Sequence, residues 1–317
     1  MRALITGGAG FIGSNLADAL LVRGWDVVAV DNFITGSREN IAHLAGEPRF
    51  ELVECDIEQA PRIACDAVYH LASPASPEGY GRYPLETLRT NSAGTWRALE
   101  IAREQRARFL LASTSEVYGD PLEHPQREDY FGNVDPIGPR ACYDEGKRFA
   151  EALTMTYIRE HALDARIVRI FNCYGPRNAL DDGRMVPTFA GQALRGEPVT
   201  VHGDGSQTRS LCYVDDMVEG LIAAMQTPGT AGRVYNLGQE REHTVQEFAE
   251  MIVKLAGSRS PIVHVPAREA DIERRKPDAG RARTELGWSA RRTLEYGLEQ
   301  TIAWYRQQLE REAAAAR

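Results

Sequence analysis

Leu4-Ile-Thr-Gly-Gly-Ala-Gly-Phe-Ile-Gly13 is the stretch on which the reading of this chain turns. An apolar run over 2–6 leads into it and a helical pattern over 14–23 leads out. Gly7, Gly10 and Gly13 are spaced GxxGxxG, and Gly8, Gly10 and Gly13 also satisfy GxGxxG. A strand turning sharply into a helix through glycines brings bare backbone amides close to a pyrophosphate at the helix N-terminus. Side chains in that turn would block the approach. Phe11 and Ile12 complete the turn. Asp31 ends the next apolar run, where a carboxylate accepts hydrogen bonds from both ribose hydroxyls of an adenosine and repels a 2′-phosphate. The expected cofactor is NAD rather than NADP, with Arg38 the nearby cation that would favour the phosphate. Asp56 and Ile57, after a third strand, can either flank the adenine or simply end the strand in an aspartate turn.

Outward from this turn, strand patterns over 2–6, 25–31, 51–56, 67–72 and 108–113 alternate with helical patterns over 14–23 and 85–106. A helix over 143–161 and a strand over 165–172 continue the series. Such alternation implies an α/β fold, a doubly wound parallel sheet of the Rossmann type. After Tyr174 the elements shorten, with helices expected over 186–195, 216–226, 245–256 and 294–311. The expected organisation is an NAD-binding domain over 1–175 and, mostly, a smaller substrate lobe over 176–317.

Composition narrows the function classes. The 317 residues are 43% hydrophobic and 26% charged, ordinary for a globular protein, and the net charge of −8 lacks the basic footprint of a nucleic-acid binder. An anionic substrate therefore needs a local group of arginines. Five scattered cysteines without a CxxC pair, and seven histidines without metal spacing, exclude a disulfide framework and a metal site and fit a reducing cytosol. No targeting segment and no apolar run long enough for a membrane span is visible. The tail EREAAAAR over 310–317 reads as a fraying helix end.

Tyr143 and Lys147 form a YxxxK pair, which a helix places on one face. An ammonium beside a phenol lowers the phenol's pKa toward neutrality and suits it to take a proton from a sugar hydroxyl. The run LASTSEVYGD over 111–120 follows a buried strand, so Thr114, Ser115 and Glu116 fall at the sheet end where a doubly wound fold builds its site. Thr114 can bond the reacting oxygen and Glu116 can serve as acid or base. In the second half, Arg177, Arg184, Arg209, Arg274 and Arg275 lie in loops, and arginine's fork matches diphosphate and carboxylate alike. His70 reads as a packed residue and the cysteines as core filler.

From the first strand to about residue 288 the chain resembles the extended short-chain dehydrogenase/reductases, and within them most closely the UDP-glucuronate decarboxylases. The residues carrying the resemblance are TGGAGFIG at 6–13, DNFITG at 31–36, HLASPASP at 70–77 and TLRTN at 87–91. They continue with STSEVYGDPLEHPQ at 113–126, DPIG at 135–138, CYDEGKR at 142–148, RIFNCYGPR at 169–177, DDGR at 181–184, GDGSQTRS at 203–210 and RRKPD at 274–278. The resemblance implies that Gly7, Gly10, Phe11, Ile12, Gly13, Asp31, Asn32, Phe33, Thr35, Gly36, Asp56, Ile57 and Leu71 line an NAD site. It implies Tyr143 as general base with Lys147 as its partner, also touching the nicotinamide ribose. Thr114 would meet the sugar 4-hydroxyl, and Ser115 and Glu116 the C5–C6 end. Arg89, Asn172, Arg184 and Arg209 would hold the sugar nucleotide, with Arg275 near the carboxylate.

The chain departs from that pattern in MVPTF at 185–189, which is similar to some sugar epimerases, and in Asp135 where asparagine is usual. The expected activity is decarboxylation of UDP-glucuronate to UDP-xylose through a UDP-4-keto-hexuronate, by a cytoplasmic homodimer paired through the helices over 85–106 and 143–161. Alternatives are a UDP-glucuronate 4-epimerase, an enzyme releasing the UDP-4-keto-pentose, and a non-catalytic NAD-binding regulator. A 4,6-dehydratase is disfavoured because Ser115 precedes the glutamate where those enzymes usually carry aspartate.

Overall fold

In the first strand, Ala3 and Ile5 pack into one apolar cluster and Leu4 into another, so alternate side chains are buried on opposite faces. A strand covered on both sides belongs inside a layered sheet, and the neighbouring runs behave alike. The computed structural model describes residues 1–267 and 275–315. Arg274 and residues 316–317, part of the RRKPD run and of the tail, lie outside the described residues.

The first half runs through β1 (Arg2–Thr6), α1 (Phe11–Val22), β2 (Asp26–Asp31), β3 (Phe50–Glu54) and β4 (Ala67–His70). It continues with α2 (Pro77–Arg82), α3 (Pro84–Arg89), α4 (Thr95–Gln105), β5 (Arg108–Thr114), α5 (Ala141–His161), β6 (Ala165–Ile170) and β7 (Cys173–Tyr174). The second half adds α6 (Met185–Arg195), β8 (Val199–His202), β9 (Thr208–Arg209), β10 (Cys212–Tyr213), α7 (Val214–Gln226) and β11 (Val234–Leu237). Last come β12 (His243–Thr244), α8 (Val245–Leu255), β13 (Ile262–Val265), α9 (Gly280–Leu286) and α10 (Leu294–Ala315).

Among the described residues, seven strands form one sheet in the order β11-β6-β5-β4-β1-β2-β3, and each neighbouring pair is parallel. The order reverses between β1 and β4, and a crevice opens at such a switch point beyond the carboxyl ends of the strands. Both the glycine turn after β1 and the Thr114–Glu116 segment after β5 are delivered there. β11, from the second half, completes the sheet beside β6, and α7 packs on β5 and β6. The parallel pair β8–β13 packs with α6, α8 and α10 into a second layer facing the crevice.

The expected helix over 85–106 is interrupted. α3 and α4 are joined by a π-turn over Thr90–Gly94. Asn91, buried in that turn, donates to the Thr87 carbonyl at 2.9 Å and to Ser73 Oγ at 2.9 Å. Gly94 sits where a Cβ would lie 2.6 Å from Ile57, and Gly146 of α5 presses on Asn91. A wide turn accommodates these close approaches, and no periodicity announces it. Helix α1 begins at Phe11, earlier than its apolar spacing suggests, because the glycine turn itself supplies the first residues.

Two glycines are dictated by geometry. Gly7 has φ of +72°, a left-handed conformation that costs a side chain strain. At Gly13 an added Cβ would lie 2.0 Å from the Gly7 carbonyl oxygen, a contact no rotamer can relieve. Gly13→Ala should therefore lower stability by about 1–3 kcal/mol, the usual scale of overpacking, and abolish dinucleotide binding. Thermal denaturation together with a cofactor titration checks this, and an unchanged melting midpoint would refute it.

Candidate active site

The crevice is a cleft of about 1290 Å³ running from the glycine turn past the ends of β4 and β5 to the second layer. At its floor, the Gly7 amide donates to the Val30 carbonyl at 2.8 Å, and the Gly10 amide to the Gly7 carbonyl at 3.1 Å. Gly10 caps α1 without any side-chain bond, so the amides of Phe11, Ile12 and Gly13 begin a helix whose positive end faces the cleft. That is a cradle for a diphosphate.

Asp31 is 7% exposed, and its two oxygens accept the Ala9 amide at 2.9 Å and the Phe33 amide at 2.8 Å. Burial pushes its carboxyl pKa up, against the pull of those two backbone bonds. Each oxygen keeps a further lone pair for a hydroxyl. Gly36 stands so close that a Cβ there would be 2.8 Å from Asp31 Oδ1. Arg38 is engaged elsewhere, bonded to Glu54 at 2.5 Å with its guanidinium 4.2 Å from the Phe33 ring centroid. Asn32 donates to Asp56 at 2.5 Å, and with Thr35, Ile57 and Leu71 these residues line the cleft. Phe33 does not line it. Its contribution is the amide held on Asp31.

His70, read from the sequence as a packed loop residue, lies buried at the end of β4 in a chain of hydrogen bonds. The Ala72 amide donates to Thr6 Oγ1, Thr6 Oγ1 lies 2.7 Å from His70 Nδ1, His70 Nε2 lies 3.0 Å from Thr95 Oγ1, and Thr95 donates to the Asn91 carbonyl. The direction of the outer bonds assigns the His70 proton to Nε2. Burial, aided by the Lys147 charge, lowers its pKa to about 3, so the ring is neutral.

The chemistry gathers at the end of β5. Thr114 Oγ1 accepts the Glu116 amide at 3.2 Å and opens a short 3-10 turn over Ser115–Tyr118. Tyr143, in the first turn of α5, is 5% exposed, hydrogen-bonds Thr114 and stacks on Tyr80 with ring centroids 5.2 Å apart. Lys147, one turn on, donates from Nζ to the Ala112 carbonyl at 2.9 Å and lies 6.0 Å from the Tyr143 ring centroid. The two share a helix face as their spacing requires.

Their electrostatics correct the expectation of a phenol tuned toward neutrality. Burial raises the Tyr143 pKa, opposed by the Thr114 bond, and the lysine spends its nearest contact on a carbonyl. The phenol of the protein alone is thus held protonated. Burial lowers Lys147 to about 8, with Glu151 opposing.

Glu116 is gripped by two arginines, Arg275 on Oε1 and Arg140 on Oε2. Burial opposes its charge, but Arg275 and Arg140 outweigh burial and hold the carboxyl below its usual range. It is therefore ionised near neutrality and suited to orienting a partner, not to donating a proton. Arg275, expected to be a loosely packed loop residue, is 7% exposed and also donates to the Gly119 carbonyl at 3.3 Å.

The remaining substrate candidates divide. Asn172, Arg184 and Arg209 line the cleft, with Arg184 reaching the Ala75 carbonyl at 2.6 Å and Asp182 at 3.3 Å. Arg89 is not brought to it. Its side chain is 67% exposed at the end of α3 and pairs with Glu58 at 2.9 Å. The TLRTN run marks the position correctly but carries no information on which helix face the arginine occupies. Arg140 and Tyr80, by contrast, line the cleft and were not singled out from the sequence, since both arrive on segments without diagnostic spacing.

Residues 3–238 match the NAD dependent epimerase/dehydratase family. The chain belongs to that family. Among curated members of the family, UDP-glucuronic acid decarboxylase 1 of Danio rerio is 49% identical over 312 residues, covering 98% of this chain and 74% of the relative. UDP-glucuronic acid decarboxylase 3 of Arabidopsis thaliana is 50% identical over 299 residues, covering 94% and 87%. Among solved structures, the UDP-glucuronic acid 4-epimerase of Bacillus cereus in complex with UDP-glucuronic acid and NAD is 30% identical, with a TM-score of 0.87 over 97% of this chain and 100% of that one.

NAD is accordingly the cofactor of this epimerase/dehydratase family member, and the cleft fits it. The side-chain-free turn would receive the diphosphate, and Asp31 the adenosine ribose. With Arg38 tied to Glu54, NAD should bind at least tenfold more tightly than NADP, roughly one charge-repulsion step. Calorimetric titration of both dinucleotides tests this, and equal affinities would contradict it.

Proposed function

We propose that this protein decarboxylates UDP-glucuronate to UDP-xylose through a UDP-4-keto-hexuronate. The observation that carries the proposal is Arg275 clamped on Glu116 next to Tyr143 and Thr114, which puts a carboxylate-binding group beside a hydroxyl-oxidising one. The naming of curated relatives across almost the whole chain supports it.

Bound NAD⁺ supplies the acceptor for the hydride of C4 and the donor that returns it. On this reading the Tyr143 phenol, ionised by the positive charge of bound NAD⁺, takes the 4-hydroxyl proton as the hydride departs, and Thr114 holds the same oxygen. Lys147 keeps the phenol oxygen in register. The resulting ketone lies β to the C5 carboxylate, so the C5–C6 bond breaks with its electrons entering an enolate, and CO₂ leaves. Ser115, Glu116 and Arg275 orient the carboxylate, Tyr143 and Thr114 stabilise the enolate oxygen, C5 takes a proton from water, and Tyr143 returns its proton to the C4 oxygen as the ketone is reduced. Asn172, Arg184 and Arg209 would hold the sugar nucleotide from the second layer, the substrate lobe of the sequence reading.

A 4-epimerase would use the same oxidation and protect the carboxylate, and the epimerase-like MVPTF run, which forms the first turn of α6, favours that second reading. The chain is further proposed to be a cytoplasmic homodimer. Leu85, Leu88, Trp96 and Phe149 stand 40–70% exposed on α3, α4 and α5, which pack together and leave an apolar face. No helix among the described residues is long and apolar enough to cross a membrane.

Incubation with UDP-glucuronate, followed by NMR for CO₂ and product sugar, is expected to give stoichiometric CO₂ and UDP-xylose. UDP-galacturonate without CO₂ would establish the epimerase instead, and accumulation of UDP-4-keto-pentose would establish release of the ketone. Arg275→Gln should reduce CO₂ release by about two to four orders of magnitude, the scale of a lost electrostatic group, while NAD still binds. Light scattering at micromolar concentration should return twice the single-chain mass, and a single-chain mass would reject the dimer.

A further inference from the structure

The two guanidinium groups on Glu116 are held with very different firmness. Arg275 has 8% of its side chain exposed and is fixed twice, on Glu116 and on the Gly119 carbonyl. Arg140 is 38% exposed and holds Glu116 through Nη2. Its other acidic neighbour, Asp144, is 3.9 Å from Nε, near enough for attraction and too far for a hydrogen bond. Arg140 arrives on the segment ahead of α5, where Asp135 accepts the Ile137 amide at 3.1 Å and closes a turn, a task aspartate performs as well as asparagine.

Three buried polar atoms around this centre have no hydrogen-bond partner among the described residues: Arg140 Nε, Arg275 Nε and Asp144 Oδ1. Two unmet guanidinium donors in one cluster ask for an acceptor with more than one oxygen. The cluster borders the cleft, which Arg140, Glu116, Tyr143 and Arg275 all line. A sugar carboxylate arriving beside ionised Glu116 meets like charge unless a cation stands between them. Arg275 is already committed on two sides. Arg140, with 38% of its side chain exposed and Nε unmet, has the freedom to bridge two carboxylates.

We propose that Arg140 is the specificity-determining residue that reads the C5 carboxylate of the sugar, sharing its guanidinium between Glu116 and the substrate, alongside Arg275, which keeps Glu116 in place and orients the same carboxylate for cleavage. This rests on UDP-glucuronate as substrate. A sugar with a neutral hydroxymethyl group at C5 makes no claim on Arg140, so the residue selects by charge and planar fork.

The test compares binding of UDP-glucuronate and UDP-glucose to the NAD-loaded protein and to Arg140→Gln and Arg140→Lys, by calorimetry at fixed salt. Arg140→Gln should weaken UDP-glucuronate about 10- to 100-fold, the scale of a lost charged hydrogen bond, and leave UDP-glucose nearly unchanged. Arg140→Lys should recover part of the preference, and KM for UDP-glucuronate should rise more than kcat falls. Equal weakening of both sugars would reduce Arg140 to a prop for Glu116 and overturn the proposal, as would no weakening of either. Should Arg140→Gln lose NAD and prove unfolded, Arg140→Lys decides, an unchanged ratio of the two affinities overturning it. A wild type that binds UDP-glucuronate without releasing CO₂ defeats the decarboxylase reading alone, because the affinity ratio still judges Arg140.

Discussion

The site depends on one largely buried ion pair. Arg169 of β6 donates from Nε and Nη2 to the two oxygens of Glu151 at 2.9 and 2.7 Å, and Ser113 of β5 adds a third bond at 2.6 Å. Arg169 also donates to the Tyr118 hydroxyl, which in turn donates to Asn236 of β11. One carboxylate on α5 is thereby tied to β5, and through Arg169 to β6, the turn after β5, and β11. Tyr143 and Lys147 lie on the same helix, so their positions over the sheet end are inherited from this anchor. Breaking a buried pair from one side typically costs about 3–5 kcal/mol, because the abandoned charge remains buried. Here the loss would also loosen the pose of α5.

The arginines of the cleft explain how an acidic chain can hold an acidic substrate. A net charge of −8 repels anions at long range, yet Arg140, Arg184, Arg209 and Arg275 line the cleft. Attraction is local, within the roughly 8 Å over which physiological salt leaves fields unscreened. Low dielectric strengthens these charges, and it also raises the Tyr143 phenol and lowers the Lys147 ammonium. Oxidation at C4 and control of a neighbouring carboxylate are therefore parts of a single electrostatic design.

What was legible in the sequence was whatever is encoded by short spacing. The glycine turn, Asp31 and the Tyr143–Lys147 pair each follow from a few consecutive residues and one element, and the structure brings them into one cleft. Six of the seven sheet strands begin and end within two residues of their apolar runs, whereas β11 was not expected from the sequence. Features made by distant segments were not legible. The π-turn answers contacts from Ile57 and Gly146, and Arg140 and Tyr80 acquire meaning only where loops converge. Arg89 lies outside the cleft lining for a related reason, since a motif locates a backbone position and the packing of α3 decides where its side chain goes. The depth at which Arg275 is buried belongs to the same class, because a loop's neighbours are set by tertiary folding.

β11 has a consequence for how this molecule can be divided. The chain leaves the sheet after β6, builds part of the second layer, and then returns at Val234–Leu237 to pair with Ile167–Ile170. A fragment cut near residue 175 would expose the hydrogen-bonding edge of β6 and strip α7 from β5 and β6. The second layer that walls the cleft is thus stitched into the sheet that carries the glycine turn. Neither half can be exchanged as a cassette, and new sugar preferences have to arise by substitution along the cleft rather than by recombination of lobes.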